Sequence, residues 1–267
     1  MLFLKSKTNS TMLRIGGKII FIFLIVFCTS CKDVSKDFNI SGTTILLNEE
    51  NVPEKDLVFD SIIHLYRESL EADMNRLLVY SSHVMERGTP EGKLNNFVAD
   101  LVFDKGKRLY NPDDGKSFDF CLLNYGGLRV PLPKGEITYA RVFELLPFEN
   151  EMVVLTISGE KTLELFQYLA RSAVGMPISG ARLVIKDGLP ESIRIQGKEF
   201  DINRNYKVLT SDYLAGGGDN MDFFLQPLNY ELLGMKVRDA IIAHMNQVHL
   251  RGEMIQSELD GRISYLQ

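Results

Sequence analysis

The stretch Phe118-Asp-Phe-Cys-Leu-Leu-Asn-Tyr-Gly-Gly-Leu-Arg129 decides how the chain is read. Its first half is a short apolar run that follows the Pro112-Asp-Asp-Gly115 turn, which predicts a strand over 118–123. Its second half abandons that pattern for two glycines and an arginine. Glycine lets a ligand approach main-chain N–H groups, and the Arg129 guanidinium offers a fixed fork for phosphate or carboxylate. A strand running into such a loop reads as the wall of a pocket.

Outward from this stretch, helical and strand patterns alternate. Upstream, Pro53 and Glu54 open a helix over 54–72 with Leu57, Ile62, Ile63, Tyr66 and Leu70 at spacings near three and four. A strand over 76–82 and a helix over 94–103, apolar at Phe97, Val98, Leu101 and Val102, follow. Downstream, Thr138 caps a short helix to Leu145, 152–157 is a β-branched strand, and Ser158 caps a helix to Arg171. Strands over 182–185 and 192–195 flank Lys186-Asp-Gly188, a hairpin signal. A strand over 206–211, a helix over 237–247 and a closing strand over 262–266 complete the pattern. The hairpin argues against a purely parallel sheet, so residues 53–267 read as one α+β domain, a mixed sheet flanked by helices.

Two further segments share the loop character of 124–129. In Leu146-Pro-Phe-Glu-Asn150 the proline fixes a turn and holds an aromatic face outward. In Ser211-Asp-Tyr-Leu-Ala-Gly-Gly-Gly-Asp-Asn220 a strand end leads through an aromatic to three glycines and an acid. An acid beside a tight glycine turn suits a pair of ribose hydroxyls, and two facing aromatics would sandwich a base. Taken singly, Phe148 reads more readily as a core plug and Gly216 to Gly218 as a hairpin turn without a ligand. Together with Asn124 and Arg129 they match what a nucleoside phosphate presents.

Composition narrows the alternatives. Of 267 residues, 45% are hydrophobic and 24% charged, the balance of a folded globular chain. A net charge of −5 removes the attraction that sequence-independent binding to nucleic acid needs, so no nucleic-acid partner is expected. The four histidines, His64, His83, His244 and His249, stand in no metal-binding pattern, and no metal site is expected. Neither a Gly-x-Ser-x-Gly elbow nor a P-loop occurs, and Cys121 sits mid-strand as a small core residue. No catalytic residue is therefore expected in this chain.

The N-terminus carries a different message. Lys5, Lys7, Arg14 and Lys18 precede a nine-residue apolar run ending at Phe27, then Cys28-Thr-Ser-Cys31. The run is about half the ~20 residues a membrane span needs, so residues 1–30 read as a secretory signal. Small residues before Cys31 resemble the bacterial lipobox, although Cys28 stands where that motif usually has leucine. The resemblance implies a lipid on Cys31, a tether over 31–52, and an extracytoplasmic domain held at a bacterial membrane.

Four ordered motifs resemble the C-terminal, substrate-binding domain of the 5′-nucleotidase family. Glu91-Gly-Lys-Leu-Asn-Asn-Phe-Val-Ala-Asp100 is similar to its Glu-x-x-x-Gly-Asn-Leu-x-x-Asp helix. Asn124-Tyr-Gly-Gly-Leu-Arg129 resembles Asn-Gly-Gly-Gly-Ile-Arg, and Lys134-Gly-Glu-Ile-Thr138 with Leu146-Pro-Phe148 follows in order. Tyr213-Leu-Ala-Gly-Gly-Gly-Asp219 is similar to Phe-Leu-Ala-x-Gly-Gly-Asp. The resemblance implies that Phe148 and Tyr213 stack on a base, Asp219 takes the ribose hydroxyls, Asn124 and the Gly126 main chain line the base edge, and Arg129 contacts phosphate. A second family arginine would fall near Gly88, which makes Arg87 its candidate replacement. Tyr125, Asn95 and Asn220 stand where the family has glycine.

The family's metallophosphoesterase domain is absent from this sequence. The resemblance therefore implies a nucleotide-recognition half, binding a nucleoside monophosphate or related nucleotide, that works with a separate metallophosphoesterase carrying the divalent metals. The alternatives are a stand-alone nucleotide- or nucleoside-binding lipoprotein and a relic with a scaffold role.

Overall fold

The computed structural model describes residues 42–44 and 57–266. The signal over 1–30, Cys31, most of the tether and the helix start at Pro53 and Glu54 lie outside the described residues. In chain order the first elements are α1 (Leu57–Met74), β1 (Leu77–Ser81), α2 (Lys93–Leu109), β2 (Phe120–Leu122), β3 (Gly135–Thr138), α3 (Tyr139–Leu145), β4 (Glu151–Ile157) and α4 (Gly159–Arg171). There follow β5 (Ile178–Ser179), β6 (Ala181–Lys186), β7 (Leu189–Ile195), β8 (Lys198–Glu199), β9 (Tyr206–Ser211), α5 (Asp212–Ala215), β10 (Asn229–Lys236), α6 (Val237–Leu250), β11 (Met254–Ile255) and β12 (Ile263–Tyr265).

The class is α+β with mixed sheets, three where the sequence suggested one. The central sheet has the order β10-β4-β9-β2-β5, flanked in sequence by β11-β1-β3 and β12-β6-β7-β8. In the central sheet β2 and β9 run parallel and every other pair is antiparallel.

Alternation along the central strands explains their continuous apolar runs. Successive side chains of a strand point to opposite faces, and a strand covered on both faces needs apolar residues at every position. Cys121, Met152, Val154 and Leu209 enter one core with α2, α6 and β1. Phe120, Leu122, Val153, Leu155 and Val208 enter a second core with α4 and the β6–β7 hairpin. Cys121 is fully buried, and burial pushes its thiol far above the ordinary cysteine range, as befits a core residue. Gly106 lets α2 lie close on the sheet, because a Cβ there would stand 2.5 Å from a Leu209 methyl.

The caps and turns follow their local chemistry. Thr138 and Ser158 accept hydrogen bonds from the Arg141 and Lys161 N–H groups, each at 3.3 Å, and start α3 and α4. Asp187 and Gly188, at φ 51° and 73°, make the left-handed pair that a two-residue hairpin requires. Helix α1 forms as its period predicts, yet Leu57, Ile62, Ile63, Tyr66 and Leu70 are all exposed. The 3.6-residue period dictates helix, but burial needs a partner surface that no local pattern encodes. Strands β3, β5, β8, β10 and β11 have no counterpart in the sequence reading: the first three and β11 are two to four residues long, and β10 is an edge strand broken by Gly234 at φ 66°.

Candidate functional site

The strand order explains why three loops distant in sequence meet. Because β2 and β9 are parallel neighbours, pairing Phe120 with Val208 and Cys121 with Leu209, their C-terminal ends emerge side by side. The loop after β2 carries Asn124 to Arg129, and the loop after β9 carries Tyr213 to Asp219. Strand β4 is antiparallel to β9, with Met152 opposite Ser211, so the 146–150 loop arrives at that same end. Asn124, Gly126, Arg129, Phe148, Asn150, Tyr213 and Asp219 line one cleft of about 250 Å³.

Each loop is shaped by its own residues. Tyr125 to Gly127 form a 3-10 turn closed by Gly127 N–H to the Asn124 carbonyl at 3.2 Å. A Cβ at Gly127 would stand 2.8 Å from Asn124 Oδ1, whereas one at Gly126 would meet nothing short of 4.0 Å, so the Gly126 main chain is open to the cleft. Arg129 is exposed, donates to the Gly126 carbonyl at 3.3 Å, and forms no ion pair among the described residues. Phe148 and Tyr213 are 44% and 43% exposed, so neither is a core plug. Tyr213 and Asp219 are joined by two hydrogen bonds, and the one that the hydroxyl donates to the carboxylate pushes the tyrosine pKa up.

Arg87 does not line the cleft. Its guanidinium lies 4.5 Å from the centroid of the Tyr125 ring and donates to the Tyr125 carbonyl at 3.4 Å, bracing the same loop from outside. A side chain at 88 has no room, since a Cβ there would stand 2.2 Å from the Glu91 carbonyl oxygen. Tyr125 has negative φ and needs no glycine, while Asn220 at φ 59° is a residue type that tolerates the left-handed region.

Sequence reasoning missed Asn150 as a lining residue and the clamp behind it. Buried Arg238, from the first turn of α6, donates to the Leu146 and Pro147 carbonyls at 3.3 Å each and pairs with Glu149. Lys236 also pairs with Glu149, and the two cations hold the Glu149 carboxyl below the usual carboxylate range. Val237 N–H donates to the Asn150 carbonyl at 2.9 Å. The antiparallel partnership of β10 and β4 delivers these residues, and it is invisible in local sequence. Asn150 lay within a loop already singled out, but nothing marked it there.

A larger cavity of about 470 Å³ lies elsewhere, lined by Asp100, Ser179, Arg182, Arg194, Asp260 and Arg262 among others. Its charges satisfy one another. Arg262 reaches both Asp100 oxygens at 2.8 and 2.9 Å and both Asp260 oxygens at 3.0 and 3.1 Å. Arg182 pairs with Asp260, and Arg194 with Glu199. Among the described residues, no group of three or more His, Cys, Asp or Glu side chains is placed to hold a metal ion. Nor is any described helix long and apolar enough to cross a membrane.

The sequence model described as "5′-nucleotidase, C-terminal domain" matches residues 75–226. Protein UshA of Escherichia coli is 32% identical over 113 residues, 40% of this chain and 20% of its own length. Cell wall protein Lmo0130 of Listeria monocytogenes is 26% identical over 191 residues, 66% of this chain and 24% of its own. The crystal structure of the 5′-nucleotidase precursor from Thermus thermophilus superposes with a TM-score of 0.64 at 21% identity, covering 80% of this chain and 44% of that one. The chain thus spans about a fifth to a quarter of these curated relatives, aligned with the fold of the solved one. With more than half of its residues matched, the chain belongs to the 5′-nucleotidase C-terminal domain family.

Proposed function

We propose that this chain is the nucleotide-recognition half of a split 5′-nucleotidase and that a separate metallophosphoesterase supplies the metals and the hydrolytic water. The observation that carries the reading is the cleft itself, where two half-exposed rings, a guanidinium without an ion-pair partner among the described residues, an amide and a carboxylate share one wall. Rings take a base by stacking, Asp219 accepts from sugar hydroxyls, and Arg129 meets the phosphate with charge-assisted hydrogen bonds. Hydrolysis of a phosphate ester by a two-metal centre needs convergent His and carboxylate ligands. The described residues hold no such group, and residues 1–52 contain no histidine.

The same reading has Cys31 lipidated and the domain exported. It rests on the basic, apolar and small-residue order of 1–31, and the name of the Listeria relative, a cell wall protein, agrees with it.

The purified chain incubated with AMP or UMP and divalent metals releases negligible phosphate, and mixing it with a secreted metallophosphoesterase encoded nearby raises turnover. Robust turnover by the chain alone would overturn the split reading. A second reading, a stand-alone nucleotide or nucleoside binder, draws on the same cleft, whose rings, guanidinium and carboxylate suffice to bind without hydrolysis. It is favoured if nucleotide binds tightly and no such mixture hydrolyses it.

A further inference from the structure

The Tyr213 hydroxyl makes two hydrogen bonds to a single residue. It donates to Asp219 Oδ1 at 2.8 Å and accepts from the Asp219 N–H at 3.2 Å, closing a ring between side chain and main chain. The Tyr168 hydroxyl donates to the Asp219 carbonyl at 3.0 Å from the other side. Gly218 makes the first contact possible, because a Cβ there would stand 2.5 Å from Cε1 and Cζ of the Tyr213 ring. Asp219 itself sits at φ 54°, ψ 28°, between Gly217 at φ 84° and Asn220 at φ 59°. Such a conformation in a non-glycine residue persists where its surroundings over-determine it, and three hydrogen bonds between Asp219 and two tyrosines do so here.

The consequence falls on the carboxylate. A hydroxyl has one proton to give, and Tyr213 gives it to Oδ1. Among the described residues Oδ2 has no hydrogen-bond partner, and Asp219 lines the cleft beside the ring that holds it. An exposed carboxylate on a glycine loop otherwise samples several rotamers, and ordering it on binding lowers affinity.

We infer that the Tyr213 hydroxyl is a positioning group that presents Asp219 as a preset acceptor for the sugar hydroxyls, so that the cleft selects ribonucleotides over their deoxy counterparts. This inference rests on the nucleotide-recognition reading and adds to it the group that orients its sugar acceptor. The stacking face and the sugar acceptor form one rigid unit, and a ligand must satisfy both together. A site built to accept from a substrate hydroxyl strongly rejects the analogue without it, whereas a ring alone does not distinguish the two.

Calorimetric titration of the full chain with AMP and with 2′,3′-dideoxy-AMP tests this. The native protein prefers AMP by about tenfold or more, the scale of a hydrogen bond to a charged group. Tyr213→Phe keeps the ring and shrinks that preference to about threefold or less, with native-like circular dichroism and cooperative unfolding as the control for an intact fold. Asp219→Asn, which leaves the Tyr213 hydroxyl in place, loses the preference to a similar extent. A Tyr213→Phe protein that retains the full preference, or a native protein that binds both ligands equally, overturns the inference while leaving nucleotide recognition standing. Failure of the native protein to bind either ligand overturns the nucleotide reading and this inference with it.

Discussion

Two cavities of this domain differ in what their charges are doing. The larger, about 470 Å³, is lined by three arginines, each held by a carboxylate: Arg262 by Asp100 and Asp260, Arg182 by Asp260, and Arg194 by Glu199. The smaller, about 250 Å³, leaves Arg129 with a single carbonyl bond and two rings half-exposed. A buried guanidinium whose donors are spent joins one element to another. A guanidinium held only by its own loop, beside uncovered aromatic faces, keeps its chemistry for a ligand. Unspent interaction capacity, rather than volume, separates a binding cleft from a structural one.

Substitutions in the two cavities therefore fail in different ways. Arg262→Met leaves Asp100 and Asp260 short of their main partner. Breaking a buried pair costs ~3–5 kcal/mol and an exposed one under ~1 kcal/mol, and these carboxylates are half-exposed, so about 2–3 kcal/mol is expected. Thermal unfolding should fall by roughly 4–10 °C, with AMP affinity of the folded protein unchanged. A matching loss of AMP affinity would erase the distinction between the cavities. Arg129→Ala reverses the pattern: AMP affinity drops about tenfold or more, adenosine affinity and melting temperature hold, and parallel titrations with both ligands reveal it.

Phe148→Ala removes a ring that stabilises no core, so adenosine binding weakens several-fold, the ~0.5–1.5 kcal/mol of an aromatic contact, with no change in melting temperature. The smallest effect is one of pH. Glu149 has its folded pKa lowered by Lys236 and Arg238, so its hold on the 146–150 loop is present above the ordinary carboxylate range and is lost as pH falls through the lowered value. Uridine, which has neither a phosphate nor a base that titrates in the acid range, should bind equally at pH 7 and 5. Its affinity should decline about twofold as the loop loosens below the ordinary Glu value of ~4.3. A fully pH-independent affinity in that range would detach Glu149 from the site.

Much of this molecule was legible in the sequence because its signals are local. Thr138, Ser158 and the Asp187-Gly188 pair each dictate a cap or turn through their own hydrogen-bonding or φ preferences, and the structure has all three where expected. The site loops were legible for a similar reason, since glycine, proline and an exposed aromatic directly after or before a strand have few structural uses. What no local pattern states is strand order. That β2 lies beside β9, and β10 beside β4, decides that the loops meet and that Arg238 reaches the Leu146 and Pro147 carbonyls. Helix α1 shows the limit from the other side: its period was plain, and its apolar residues are exposed all the same.

The proposed function requires that rings and a guanidinium far apart in sequence grip one nucleotide. The most direct measurement is a crystal structure of the protein soaked with AMP. It should place adenine between Phe148 and Tyr213, ribose hydroxyls on Asp219 and phosphate at Arg129. AMP seated instead against the Arg182 and Arg194 pair, or density for no nucleotide in the 250 Å³ cleft at saturating concentration, would contradict it.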